Sequence, residues 1–118
     1  MDVNRFVSLL MSSATQAHVF HLHTPSYAQH KALEDYYTGI VPLVDSYVES
    51  YQGTYGKLVR PVRAFPIIND PRKSLVYFKM LYKKINAMKN LPKDHLRNIQ
   101  DSIMELITST MYKLKNLS

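Results

Sequence analysis

The sequence predicts an all-α fold, a four-helix bundle with a long connection between its second and third helices. Three observations predict it. Apolar residues recur at spacings of three and four along most of the 118 residues, 46% of which are hydrophobic. Only three glycines and no tryptophan occur, which suits helices better than a sandwich of short strands. The turn-forming residues gather into three breaks, at 24–26, 53–70 and 90–92. A chain of this length makes a single domain, residues 1–118.

The first helix spans residues 3–22, where Phe6, Leu9, Leu10, Ala14, Ala17 and Phe20 or His21 form the apolar stripe. Thr24-Pro25-Ser26 breaks and restarts the pattern. Either Thr24 caps with Pro25 at the first helical position, or Ser26 caps with Gln29 closing a capping box. The second helix runs to about Tyr51, where Gln52-Gly53 provides a stop, and Pro42 inside it predicts a kink rather than a break. Gly53, Gly56, Pro61 and Pro66 mark an irregular connection, long enough to cross the end or flank of the bundle. Asp70-Pro71 starts a third helix with Asp70 as cap; its stripe is Leu75, Phe78, Leu81 or Tyr82, Ile85 and Met88, and Asn90-Leu91-Pro92 ends it. The fourth helix carries Leu96, Ile99, Ile103, Leu106, Ile107, Thr110, Met111, Leu114 and Leu117, close to a heptad seam. Two helical pairs joined by one long connection describe a ferritin-like bundle.

No cysteine occurs, so disulfides, thiolate metal sites and cysteine nucleophiles are excluded together, and the chain suits a reducing cytoplasm. The apolar run from Phe6 to Met11 is too short for a signal or membrane segment, so no membrane association is expected. Of the 15 Lys and Arg residues, ten lie after position 70 against the three acids Asp94, Asp101 and Glu105. That basic half reads as a sequence-independent DNA-binding surface or as a solvated helix face.

Histidine is clustered: four of the five lie between positions 18 and 30. On the second helix, His30 with Glu34 and Asp45 with Glu49 form two i, i+4 pairs, each facing one direction. The pairs are offset by only about 60° around the axis, so all four share one broad stripe. Glu34 and Asp45 are nonetheless about 16 Å apart along a straight helix at about 1.5 Å per residue. A side chain of this kind reaches a metal only about 4–5 Å from its own backbone. One helix therefore cannot bring both pairs to one ion, whereas two copies packed antiparallel about a twofold axis can. His18, on the first helix, completes the His30 end. Mixed imidazole and carboxylate donors suit iron, manganese or zinc better than calcium.

Residues 17–51, AHVFHLHTPSYAQHKALEDYYTGIVPLVDSYVESY, resemble the ferroxidase segment of the Dps (DNA protection during starvation) proteins. That family's pattern is His, eleven residues, His, three, Asp, ten, Asp, three, Glu. His18, His30, Glu34, Asp45 and Glu49 stand at those separations, with Glu34 where the family usually has Asp. Residues 91–114, LPKDHLRNIQDSIMELITSTMYKL, resemble a phage-encoded family of Dps-like proteins. The resemblance implies an intersubunit di-iron site, iron(II) oxidation by peroxide or oxygen, and iron storage that limits peroxide damage. It also implies a hollow homo-oligomer, up to a dodecamer, in the cytoplasm of a phage's host.

His21, one turn from His18, reads as an outer-sphere or alternative ligand, or else as a polar interface residue. His23 reads as a helix-end residue and His95 as surface. Asp101 and Glu105 repeat the acidic spacing on the last helix, but the Glu-x-x-His motif of a within-bundle di-iron centre is missing, so they read as a solvated face. The rival to iron oxidation is a DNA-coating or structural phage protein on the same scaffold, with Arg72, Lys73, Lys79, Lys83, Lys84, Lys89 and Lys93 meeting phosphates.

Overall fold

A computed structural model describes residues 2–57 and 63–117. Pro61, one of the expected chain breakers, and Arg60 lie outside the described residues. Among those described, the chain forms four α-helices and no strand: α1 (Asp2–His23), α2 (Tyr27–Tyr55), α3 (Ser74–Asn86) and α4 (Leu96–Asn116). None of these helices is long and apolar enough to cross a membrane.

The first turn is set by Ser26, whose hydroxyl accepts the Gln29 N–H at 3.2 Å and caps α2. The capping box is not closed in the expected way. The Ser26 N–H goes to Thr24 Oγ1, and Thr24 in turn bonds the Gln29 side chain, so both hydroxyls share the work. Helix α2 runs unbroken through Pro42 and passes Gly53 to end at Tyr55, four residues beyond Tyr51. The extra turn is held from outside. Tyr55 donates to Asp94, Thr54 bonds His95 Nε2 at 3.2 Å, and the Tyr51 and Tyr55 rings meet at 5.0 Å. The stop is Gly56, at φ 92°, a left-handed value that favours glycine; its N–H closes on Gln52 O at 3.0 Å.

Asp70 caps as expected, but a 3-10 turn, Pro71–Lys73, intervenes before α3 proper begins. Helix α3 ends at Asn86, short of Met88, because the chain turns back toward α1, where the Asn90 N–H donates to Asp2. Before α4, Asp94 accepts the Leu96 N–H at 3.0 Å, and His95 stands just ahead of the helix.

The helices are arranged in a ring. Helix α1 packs against α2 and, more lightly, α3; α4 packs against α2 and α3; α1 faces α4, and α2 faces α3, only across the diagonals. The start of α3 and the end of α4 lie beside the α1–α2 turn, since Pro25, Ser26, Pro71, Ser74 and Leu114 line one cleft. The Asp2–Asn90 and Tyr55–Asp94 bonds close the opposite end. Helices α1 and α4 therefore run one way, α2 and α3 the other.

That topology obliges the connection between α2 and α3 to return along the flank of the bundle, and residues 63–70 do so against α1. The Arg63 N–H donates to Ser8 Oγ at 2.8 Å. Buried Gln16 pairs its whole amide with the Ile68 backbone, donating from Nε2 at 2.8 Å and accepting at Oε1 at 2.7 Å. An unmatched buried amide would cost about 1–3 kcal/mol, so these bonds fix where the connection lies.

The core is aromatic along its axis. Phe6 meets Tyr47 edge-on at 4.9 Å, and Tyr36 meets Phe78 at 4.7 Å. The Tyr36 hydroxyl shares a 2.7 Å bond with Ser13, and Tyr47 accepts from Gln100 Nε2 at 3.2 Å. Ile40, Val44, Ile103 and Ile107 are buried in the core, and Gly39 lets Leu106 approach so closely that an added Cβ would stand 3.2 Å from it.

This packing makes two substitutions informative. Gly39→Leu should lower the urea midpoint, at a cost of about 1–3 kcal/mol, because it forces α2 and α4 apart. Gly53→Ala, with nothing within 4 Å of the new methyl, should raise the midpoint, stabilising the helix by up to about 1 kcal/mol.

Alkaline titration tests the buried phenols. Burial pushes the Tyr36 and Tyr77 hydroxyls above the usual range, and it pushes Tyr47 up to about 12, with the Gln100 bond opposing. A group whose folded value is raised lends stability that is whole below its unfolded value, about 10 for Tyr, and is lost as pH rises through the folded one. Tyrosinate absorbance should therefore show these three ionising together with loss of helical circular dichroism, above about pH 10. Smooth ionisation of every tyrosine with the helices intact would contradict it.

Candidate metal site

The end of α1 and the start of α2 meet across the turn at 24–26. His21 closes α1's buried stripe at 7% exposure, and His30 and Glu34, one helical turn apart, come from the first turns of α2 and are half-buried. Ligand atoms of His21, His30 and Glu34 all lie within 4.8 Å of one another. No other set of three such donors gathers this closely among the described residues.

Two reciprocal hydrogen bonds fix the histidines. His21 Nδ1 lies 2.7 Å from the His30 carbonyl, and His30 Nδ1 lies 2.8 Å from the His21 carbonyl. A carbonyl only accepts, so both rings carry their proton on Nδ1 and present Nε2 as a lone pair. The His21 carbonyl belongs to the last turn of α1 and has no helical partner of its own, so the bond also finishes that helix. The two rings stack at 3.5 Å with 22° between their planes. Tyr37 closes one side, edge-on to His21 at 5.3 Å, and Tyr27 lies over His30 at 6.3 Å. Glu34 is tied to solvent-facing Lys31 at 3.3 Å, a contact that water and salt screen. The carboxylate raises the Lys31 ammonium above its ordinary value, first through their hydrogen bond.

The remaining expected ligands lie elsewhere. His18 is exposed, stacked on Tyr37 at 4.5 Å and 5.9 Å from His21 between ring centres, and is not in the close set. Asp45 and Glu49 are exposed further down α2, and Asp45 lines a groove with Met11, Thr15 and Val41. The unbroken helix keeps both pairs on one rod, as the spacing argument requires. His23 is exposed at the end of α1, and Asp101 and Glu105 are exposed on α4. His95 is exposed but bonded to Thr54. Spacing alone favours His18 over His21, because both are one turn apart on α1 and only the packing shows which turns inward. Nothing in the spacing marks Tyr37.

A family model described as a family of unknown function, DUF5856, matches residues 21–114. The chain is also 29% identical, over 115 residues, to the "Uncharacterized 14.6 kDa protein in mobD-ri intergenic region" of Enterobacteria phage T4. That alignment covers 97% of this chain and 85% of the phage protein. No solved structure matches. The matched segment contains His21, His30, Glu34, Asp45 and Glu49 and starts after His18. With most of its length matched by one model, the chain belongs to the family of unknown function DUF5856.

Proposed function

We propose that the protein is a ferritin-like, Dps-related subunit that oxidises and stores iron between twofold-related chains, limiting peroxide damage. The ring order of the helices, with the crossover laid along α1, is the order that a ferritin-like bundle requires. The carrying observation is the exposed face shared by α1 and α2. It bears His18, Glu34 and Asp45, and among them stand exposed Met11, Leu22, Tyr27 and Val41, with Leu22 and Tyr27 at 67% and 76% exposure. An apolar surface of this kind, studded with metal-ligating groups, fits burial against another chain.

Antiparallel pairing of two α2 helices sets Glu34 of one against Asp45 of the other. The twofold axis then falls midway along that stretch, beside exposed Val41 and Thr38. His18, His30 and Glu34 of one chain with Asp45 and Glu49 of the second would supply two imidazoles and three carboxylates to each site. That donor set takes iron(II) as its substrate, with manganese and zinc as competitors. Two iron(II) ions each lose one electron to one peroxide, which leaves with two protons as two waters. The carboxylates hold the positive charge, and the imidazoles leave coordination positions free for the oxidant.

The test is subunit mixing. The purified protein should be a dimer or a multiple of one at micromolar concentration. His30→Ala/Glu34→Ala and Asp45→Ala/Glu49→Ala chains should each fail to oxidise iron(II) while keeping their helical content. Unfolded and refolded together, they should recover about a quarter of wild-type activity, because half the random dimers hold one intact site of two. A monomer, or no recovery on mixing, would defeat the reading.

A second reading has its own observation. Lys79, Lys83, Lys84, Lys89, Lys93 and Arg97 are all exposed along α3 and the turn into α4. Such a face suits the DNA backbone. Binding should be indifferent to sequence and fall steeply between low and moderate salt, with Lys83→Gln/Lys84→Gln reducing the salt slope by about 2. No gel shift at low salt would leave these lysines as a solvated surface.

A further inference from the structure

His21 has no part in the intersubunit ligand set, yet it is the buried imidazole at the α1–α2 turn, and like His30 it is held by a backbone carbonyl. We infer that His21, His30 and Glu34 form a site for a divalent transition metal of the zinc class, complete within one chain, which clamps the end of α1 to the start of α2.

Metal-binding histidines ordinarily donate their other ring N–H to a carbonyl or carboxylate, which fixes the tautomer and aims the lone pair. Here both histidines already have that arrangement, each from the other's main chain. Neither ring has to find an outer partner when an ion arrives. Two neutral imidazoles and one carboxylate leave a bound divalent ion with a single positive charge, at a half-buried site that water still reaches. Three protein donors and one open position match the ligand count of non-structural zinc sites.

Some movement is needed. Donor atoms around a tetrahedral ion stand about 3.3 Å apart when the metal–ligand bonds are about 2.0–2.1 Å. The donors, now within 4.8 Å of one another, must close to that spacing with their lone pairs converging, so the stacked rings must tilt out of parallel and Glu34 must leave Lys31. Both are side-chain rotations, at the surface for Glu34 and His30 and beneath it for His21. The protein backbone already holds the two helix ends together, with eight residues between His21 and His30, so the ion closes a loop that is formed before it binds.

The inference does not rest on the intersubunit reading, which shares His30 and Glu34 but adds His18 and the acids of a second chain in place of His21. Cobalt(II) titration separates the two, followed by visible absorption, in an Asp45→Ala/Glu49→Ala background that removes every donor a second chain would bring. One cobalt per chain should bind in that background, and zinc should raise the melting temperature. Adding His21→Ala or Glu34→Gln should weaken cobalt binding by at least about 10-fold, no less than the loss of an outer-sphere partner. Adding His18→Ala should leave it unchanged. Glu34→Gln preserves side-chain size and helix preference, so it decides the matter if His21→Ala fails to fold. The proposal is overturned if cobalt does not bind the Asp45→Ala/Glu49→Ala chain, if Glu34→Gln or a folded His21→Ala chain binds it as tightly, or if His18→Ala weakens binding as much. Failure here leaves the subunit-mixing result untouched, and the converse also holds.

Discussion

Helix α2 is 29 residues long, about 43 Å at about 1.5 Å per residue, and the molecule is 43 Å along its longest axis. The rest of the fold is arranged on this one rod, because α2 alone packs closely against both α1 and α4. Tyr36, Ile40, Val44 and Tyr47 bury themselves between those neighbours, each contributing about 1.5–3 kcal/mol by removal from water. Together they outweigh the roughly 3 kcal/mol that Pro42 costs a helix interior. The rod therefore stays whole, and its stiffness is what keeps His30 with Glu34 apart from Asp45 with Glu49.

A rod contacted on two sides leaves its other side to be explained. The surface shared by α1 and α2 keeps Met11, Leu22, Tyr27 and Val41 exposed, where a solvated face would carry charge. The opposite side of the bundle, around α3, turns lysines outward together with exposed Val76 and Met80, and Phe78, Leu81 and Ile85 inward. The candidate ligands thus lie on one side of the chain and most of the exposed lysines on another. The proposed assembly would cover the first and leave the second in solvent, where salt-sensitive contacts with a polyanion remain open to it.

Polar groups inside the bundle settle its topology. Gln16 and Ser8 on α1 take their partners from the connection between α2 and α3, and Ser13 takes Tyr36. Had that connection crossed the end of the bundle, Gln16 would be a buried amide without a partner. The same economy works at the α1–α2 turn. His21 and His30 satisfy each other's main chain through Nδ1, and their rings stand close to the Glu34 carboxylate. The two bonds meet a structural need of the helix ends, and the metal site we infer would take its preorganisation from them.

The amino-acid sequence by itself determined the four helices, the Asp70 cap, the aliphatic stripe of α4 as far as Leu114 and the separation of the two candidate ligand pairs on α2, while Leu117 falls past the end of α4 and is exposed. These come from periodicities of three to four residues and a fixed rise per residue, which are local properties of the chain. It did not determine how far α2 continues, because Gly53 is a weak stop, and the Tyr55–Asp94 and Thr54–His95 contacts come from residues some forty positions away. It put His18 ahead of His21 as a ligand on spacing and left Phe20 and His21 as alternatives for the core, since neighbours on one helical stripe differ only in what another element brings against them. Tertiary packing turned both Phe20 and His21 inward and left His18 on the surface against Tyr37. Spacing along a helix is read in one dimension. Which donors converge depends on the second helix, and that is decided only when the two helices pack.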